Sequence, residues 1–215
     1  MHGIKVLVYG GAGVGKTRLV ATAPIPVLIS AESGLLSLRQ YDIPTWQIYS
    51  IADLYAAYNF LTQSAEAKQF STICVDSISE IAEVCLVTAK KRNKDPRQAY
   101  GDLIDEMMLL VRGFRDLPNK HVYISAKSEF YKDEVSGVVK NQPSMPGTKL
   151  GPALPYLFDE VFHMGIAKDD KGKDYRYLRT QPDFQHEAKD RSGALATFEQ
   201  PDLSLIFSKI IGAVS

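Results

Sequence analysis

Eight consecutive residues, Gly10, Gly11, Ala12, Gly13, Val14, Gly15, Lys16 and Thr17, constrain what this chain can fold into more than any other stretch. They follow an apolar run at 4–9 and precede a helix-like stretch at about 15–23, so the pattern G-x-x-x-x-G-K-T sits between a strand and a helix. Glycines there let successive backbone N–H groups turn inward on phosphate oxygens, and the following helix adds the positive end of its dipole. Lys16 is then placed to reach the β- and γ-phosphates, and the Thr17 hydroxyl to ligate Mg²⁺. A glycine-rich turn that binds nothing has no need of strand, lysine and threonine together, so the spacing implies a nucleoside triphosphate.

The remaining elements alternate in the manner of an α/β fold. The first strand is nearly all apolar, as a parallel strand covered on both faces must be. Pro24 and Pro26 end the first helix, and a buried strand at 27–30 leads into Ala31, Glu32, Ser33 and Gly34. A short helix or turn is expected at 34–40, a short strand at 46–49, and a helix at 53–68 with Asp53 as its cap. The β-branched run 72–76 reads as a strand ending in Asp76, and 77–91 and 98–117 as helices interrupted near Pro96. Residues 121–126 form a further strand, after which 127–151 dissolve into Gly, Pro, Lys and Ser and read as a long loop. A short helix at 151–157, a strand at 159–167, a turn at 169–173, a strand at 175–180 and a closing helix at 202–212 complete the chain. The expected architecture is a mostly parallel twisted sheet flanked by helices, with a C-terminal β-hairpin.

At 215 residues the chain suits one domain spanning 1–215. Lys plus Arg and Asp plus Glu each number 25, so no global field draws it to nucleic acid, and any such contact needs a local patch. Cys74 and Cys85 lie in apolar surroundings without metal-ligand spacing, which suits core positions in a reducing compartment. The N-terminus runs into the first strand without a signal peptide, and no apolar run spans a bilayer; a cytoplasmic protein that does not meet membranes is expected. His2, His121, His163 and His186 have no metal-like spacing and read as structural or exposed.

Two carboxylates stand out. Asp76 ends a strand, as the Mg²⁺-binding aspartate of a Walker B strand does, and its distance from Lys16 leaves room for an intervening strand. Glu32 also ends a strand, at the edge where open parallel sheets bind ligands, and is placed to polarise an attacking water. Many P-loop ATPases carry a glutamate directly after the aspartate, where this chain has Ser77. Either Glu32 is the base or hydrolysis is slow and Glu32 is a surface carboxylate.

The strand ending VLISAE, the strand ending VDS and a later strand followed by a loop together resemble the RecA-type recombinase core. The segment Ala188–Arg191, AKDR, resembles the basic finger of RecA-type filaments and hexameric helicases, with Lys189 and Arg191 at the two cationic positions; a solvated basic turn is the plain alternative. The closest resemblance is to phage-type, core-only RecA-like proteins of the single-strand annealing recombinase family. It implies ATP and Mg²⁺ as ligands, and catalysis by Lys16, Glu32 and Asp76 together with Lys189 and Arg191 from a neighbouring subunit. It further implies a homo-oligomeric ring or filament, single-stranded DNA as partner, and a single-strand-binding protein as a second one. The chain starts at its first strand, so the N-terminal polymerisation element of full-length recombinases is expected to be missing. Where recombinases place a γ-phosphate-sensing glutamine, this chain has Ser125, Ala126 and Lys127. Lys127 is then either a phosphate contact or a loop cation.

The same resemblance directs attention to two segments for DNA. One carries Lys90, Lys91, Arg92, Lys94 and Arg97; the other carries Phe130, Tyr131, Lys132, Lys140 and Lys149. Aromatic faces that stack bases and cations that follow phosphates suit single strands, although basic clusters at helix ends are also ordinary solvated faces. Three other readings stay open: a ring helicase or loader motor, a nucleotide-gated regulatory or scaffolding protein, and a small-molecule kinase.

Overall fold

The computed structural model describes residues 3–32, 35–132, 134 and 137–213; His2, Ser33 and Gly34, named above, lie outside them. In chain order the first half comprises β1 (Lys5–Gly10), α1 (Lys16–Leu19), β2 (Pro26–Ser30), β3 (Thr45–Gln47), α2 (Ile51–Gln63), β4 (Thr72–Asp76), α3 (Ile78–Arg92) and α4 (Pro96–Arg115). The second half comprises β5 (His121–Lys132), β6 (Val139–Ser144), α5 (Leu150–Ala153), β7 (Glu160–Lys168), β8 (Asp174–Arg179), β9 (Lys189–Asp190), β10 (Phe198–Glu199) and α6 (Leu203–Ala213).

Six strands run parallel in the order β7-β1-β5-β4-β2-β3. β8, β10, β6 and β9 join antiparallel, β8 and β9 on β7, β10 on β8 and β6 on β5. Side chains alternate across a strand, so one apolar run serves two cores. Leu7, Tyr9, Ile73, Val75, Val122 and Ile124 pack with Leu54 of α2, Ile81 of α3 and Phe114 of α4. Val6, Val8, Cys74 and Tyr123 face the other side, with Leu19 of α1 and Leu203, Ile206 and Phe207 of α6. Burying each such large side chain is worth about 1.5–3 kcal/mol, which is why the strands hold register on both faces. Cys74 and Cys85 are free and buried in these cores. Among the described residues no helix is long and apolar enough to cross a membrane.

Several expectations need correction. The first helix is shorter than expected: α1 stops at Leu19 and continues as a 3-10 turn over Val20–Thr22, because Pro24 holds Ala23 extended and Thr22 Oγ1 bonds back to the Leu19 carbonyl. Ser50, not Asp53, caps α2. Asp53 sits at the third position and returns the favour by accepting from Ser50 Oγ and Tyr49 N. The expected loop at 127–151 is largely a β-ribbon, in which β5 runs on to Lys132 and β6 returns in the register Lys132↔Val139 to Lys127↔Ser144. Its strands were illegible because the ribbon has no apolar face to alternate. Polar pairs hold it instead, with Glu129 accepting from Gln142 and Ser144. β9 and β10, two residues each, carry no sequence signal of their own.

β7 begins on an unusual carboxyl. Glu160 is buried on β7 beside Asp190 of β9 and accepts from the Ser192 N–H at 3.2 Å. Burial, reinforced by the Asp190 charge, raises its pKa to about 8. Folded Glu160 keeps its proton where the unfolded chain has lost it, so stability declines from about pH 4.5 to about pH 8 and levels off above. The expected slope from this group is about 1.4 kcal/mol per pH unit across that window. Glu160→Gln should flatten it, and thermal melts of both proteins at pH 5 to 9 check this; parallel curves would show that Glu160 ionises normally.

Candidate functional site

The C-terminal ends of the parallel strands share one edge of the sheet, with Gly10 beside Lys127 and Ser30 beside Asp76. A cleft of about 620 Å³ opens there. It is lined by Gly10, Gly11, Ala12, Gly13, Gly15, Lys16 and Thr17 of the loop, and by Arg18, Glu32, Ser37, Lys127, Ser128 and Arg176 around it. Gly10 is required because a Cβ would stand 2.5 Å from the Met164 carbonyl oxygen of β7. Gly15 is required because its φ is 112°, in the region other residues avoid.

Lys16 Nζ donates to the carbonyls of Gly10 and Gly11, each at 2.8 Å, and so lies along the loop. Burial holds its pKa below the ordinary lysine value, Asp76 and Glu32 push it back up, and Lys127 adds to the depression. An entering phosphate supplies the counter-charge that this cation lacks. Because α1 is a single turn, phosphate recognition rests on the loop and Lys16 more than on a helix dipole.

Asp76 sits lower, at the level of Val8, and is 1% exposed. One carboxylate oxygen accepts from Ser125 Oγ of the intervening strand β5; the other is buried without a partner among the described residues. A buried carboxylate oxygen without a partner among the described residues, near enough to Lys16 to act on its charge, fits a hard divalent cation together with the Thr17 hydroxyl of the cleft. Asp76 and Thr17 are therefore the residues that would hold Mg²⁺, which when bound supplies charge neutralisation on the phosphates.

Glu32 is brought into the same cleft. Its N–H donates to Ser30 Oγ at 3.1 Å and its carbonyl accepts from Gln47 Nε2 at 3.2 Å, which positions the backbone beyond β2. Ser77, at the position often occupied by glutamate, caps α3 through the Glu80 N–H. Glu32 is thus the one carboxylate among the described residues that line the cleft. Lys127 also lines it; its N–H donates to Ser79 Oγ at 2.9 Å and its ammonium pairs with Glu80.

Lys189 and Arg191 are not part of this constellation. β9 pairs with the first residues of β7, at the opposite end of the strands from the loop. There Lys189 Nζ donates to the Pro155 carbonyl at 2.7 Å and Arg191 pairs with Asp159 at 2.8 Å. The basic segments also separate. Lys90, Lys91 and Arg92 end α3, Lys94 lies in the α3–α4 turn, and Arg97 opens α4, where it shares a groove with Tyr100 and Lys149. Phe130, Tyr131 and Lys132 lie on β5 and Lys140 on β6, on strands and not in a loop. Tyr131 and Lys140 border a second groove with Tyr156 and Lys189.

Sequence reasoning missed Arg176 and Tyr123, and named Ser125 only as a neighbour of the expected phosphate-sensing position, not as the partner of Asp76. Arg176 of β8 donates from Nε to the Val14 carbonyl at 2.8 Å, and Tyr123 hydroxyl donates to the Lys16 carbonyl at 2.9 Å. Their signal is their parity on strands whose register only the fold reveals.

A strand–loop–helix phosphate site, one strand removed from a buried carboxylate in a parallel sheet, defines a P-loop NTPase. A family model described as an AAA domain matches residues 2–192, and the chain belongs to that family of P-loop ATPase domains. No curated protein matches it. Among solved structures, a KaiC-like protein from the hyperthermophilic archaeon Pyrococcus horikoshii OT3 is similar at a TM-score of 0.47 and 15% identity, over 82% of this chain and 77% of that one.

Removing the Asp76 charge should abolish productive metal binding without loss of volume. Asp76→Asn is expected to lower Mg²⁺-dependent ATP turnover by about a hundredfold or more, with the far-UV spectrum unchanged. Steady-state phosphate release across a Mg²⁺ titration measures it, and wild-type turnover in the variant would remove Asp76 from the site.

Proposed function

We propose that this ATPase works on DNA: it binds single strands, promotes their annealing in recombination, and holds ATP at the junction of two of its own subunits. The observation that supports this reading most is the continuity of β5. The strand that holds Asp76 through Ser125 and lines the cleft with Lys127 and Ser128 runs on without interruption into a ribbon bearing Phe130, Tyr131, Lys132 and Lys140. Phe130 is 78% exposed, as a stacking surface for bases must be. Occupancy of the cleft and the conformation of that ribbon therefore share one backbone.

In this reading Lys16 and the loop bind the triphosphate, Asp76 and Thr17 hold Mg²⁺, and Glu32 takes the proton of the attacking water. Lys189 and Arg191 stand too far from their own loop to serve it, so they act on the γ-phosphate of the next subunit in a ring or filament. The basic run Lys90, Lys91, Arg92, Lys94 and Arg97 adds phosphate contacts at the α3–α4 turn. A single-strand-binding protein is the further partner, and the cytoplasm the setting. The second reading, a ring helicase or loader, draws on the same finger position.

Single-stranded DNA should stimulate ATP turnover, and the combined Tyr131→Ala, Lys132→Ala and Lys140→Ala variant should lose about tenfold or more in DNA affinity while binding ATP normally. Phosphate release reads the stimulation, fluorescence anisotropy with a labelled oligonucleotide the DNA affinity, and a nucleotide titration the ATP binding; absence of DNA retention by the wild type would sink the proposal. Glu32→Ala should bind ATP but turn over at least about a hundredfold more slowly. Unwinding of a forked duplex in place of annealing would favour the helicase.

A further inference from the structure

The nucleotide cleft carries four cations, Lys16, Arg18, Lys127 and Arg176, against the single carboxylate of Glu32. Lys127 is committed to Glu80, and Lys16 to the loop carbonyls. Arg176 differs from both: one nitrogen is tied down and the rest of the guanidinium is free of any acid among the described residues. Its neighbours on the hairpin show the contrast, since Lys168 pairs with Asp174 at 2.9 Å and Arg179 with Asp183 at 3.1 Å.

The fold explains why Arg176 reaches the loop. β8 pairs antiparallel with β7 in the register Met164↔Leu178 and Ile166↔Arg176. Residues two apart share a face, and Leu178 is buried in the core beneath α1 with Met164 and Val14. Arg176 is the next residue on that face, beyond the edge of the core, so its side chain passes over Gly15. Its Cδ and Nε would stand 3.2 Å from any Cβ there. With Nε donating to the Val14 carbonyl, the plane of the guanidinium is set and its two terminal nitrogens are left for a ligand in the cleft. A planar fork with a fixed axis is suited to phosphate oxygens, which it meets through paired charge-assisted hydrogen bonds.

We propose that Arg176 is a nucleotide-binding residue, contributed by the C-terminal hairpin of the same chain, whose guanidinium contacts the phosphate chain of the nucleotide while its Nε braces the loop at Val14. The inference rests on the reading of the cleft as a nucleoside triphosphate site. It makes the affinity for triphosphate partly independent of any neighbouring subunit, because one arginine is already supplied in cis.

The test compares Arg176→Gln and Arg176→Lys with the wild-type protein, using ATP, ADP and AMP to displace a fluorescent ATP analogue in the presence of Mg²⁺. Arg176→Gln is expected to weaken ATP by about tenfold or more, as loss of a charged hydrogen-bond partner does, and AMP least. Arg176→Lys, which keeps the charge, is expected to bind ATP more tightly than Arg176→Gln. Unchanged ATP affinity in Arg176→Gln overturns the proposal. So does an equal loss for ATP and for adenosine, a fourth competitor that carries no phosphate, which assigns Arg176 to the base, the sugar or the loop fold alone. Equal weakness of the two variants leaves only the brace on Val14 and overturns the phosphate contact. If the wild type displaces no analogue, the nucleotide reading itself fails, and that outcome is distinct from the others.

Discussion

The site depends on a buried carboxylate that the protein satisfies by half. Asp76 spends one oxygen on Ser125 and keeps the other out of water with no donor among the described residues. A carboxylate oxygen in that situation costs several kcal/mol unless charge nearby offsets it. Lys16 supplies part of the offset, and its own depressed pKa records the reciprocal cost of burial. Both groups are costly as the protein stands, and a bound metal and phosphate would offset both costs. The geometry stores stability for the ligand, and core burial elsewhere compensates.

That compensation comes from the two-sided sheet. β5, inserted between β1 and β4, separates the loop from Asp76 by one strand and provides Ser125 for one and the Tyr123 hydroxyl for the other. The same strand packs Val122 and Ile124 into one core and Tyr123 into the other. A strand locked on both faces cannot slip, so the two chemical groups it supports are positioned by hydrophobic register. Beyond the core the strand continues as a polar ribbon with nothing apolar to bury, a change in character that falls at Lys127, on the wall of the cleft.

Much of this was legible in the chain. The loop, the strand ending in Asp76, the strand leading to Glu32 and most helices announce themselves by local spacing, since a glycine pattern, a β-branched run and a three-to-four-residue period are each carried by neighbours in sequence. What stayed hidden has a common cause. The β5–β6 ribbon is held by Glu129, Gln142 and Ser144 and so lacks alternating apolar residues. The cap on α2 moved three residues because Ser50 and Asp53 bond reciprocally, and either alone reads as a cap.

By itself the sequence determined that the chain builds a phosphate loop on a parallel strand and points a carboxylate at it, because those features need only adjacent residues and a strand's period of two. Tertiary structure alone decided which distant groups meet there. Arg176 arrives from residues far along the chain through the β7–β8 register, whereas Lys189 and Arg191, which carry as strong a basic signal, are held by β9 at the opposite end of the sheet. Cross-strand register is a relation between segments, set by which faces bury together, and no spacing within either segment contains it.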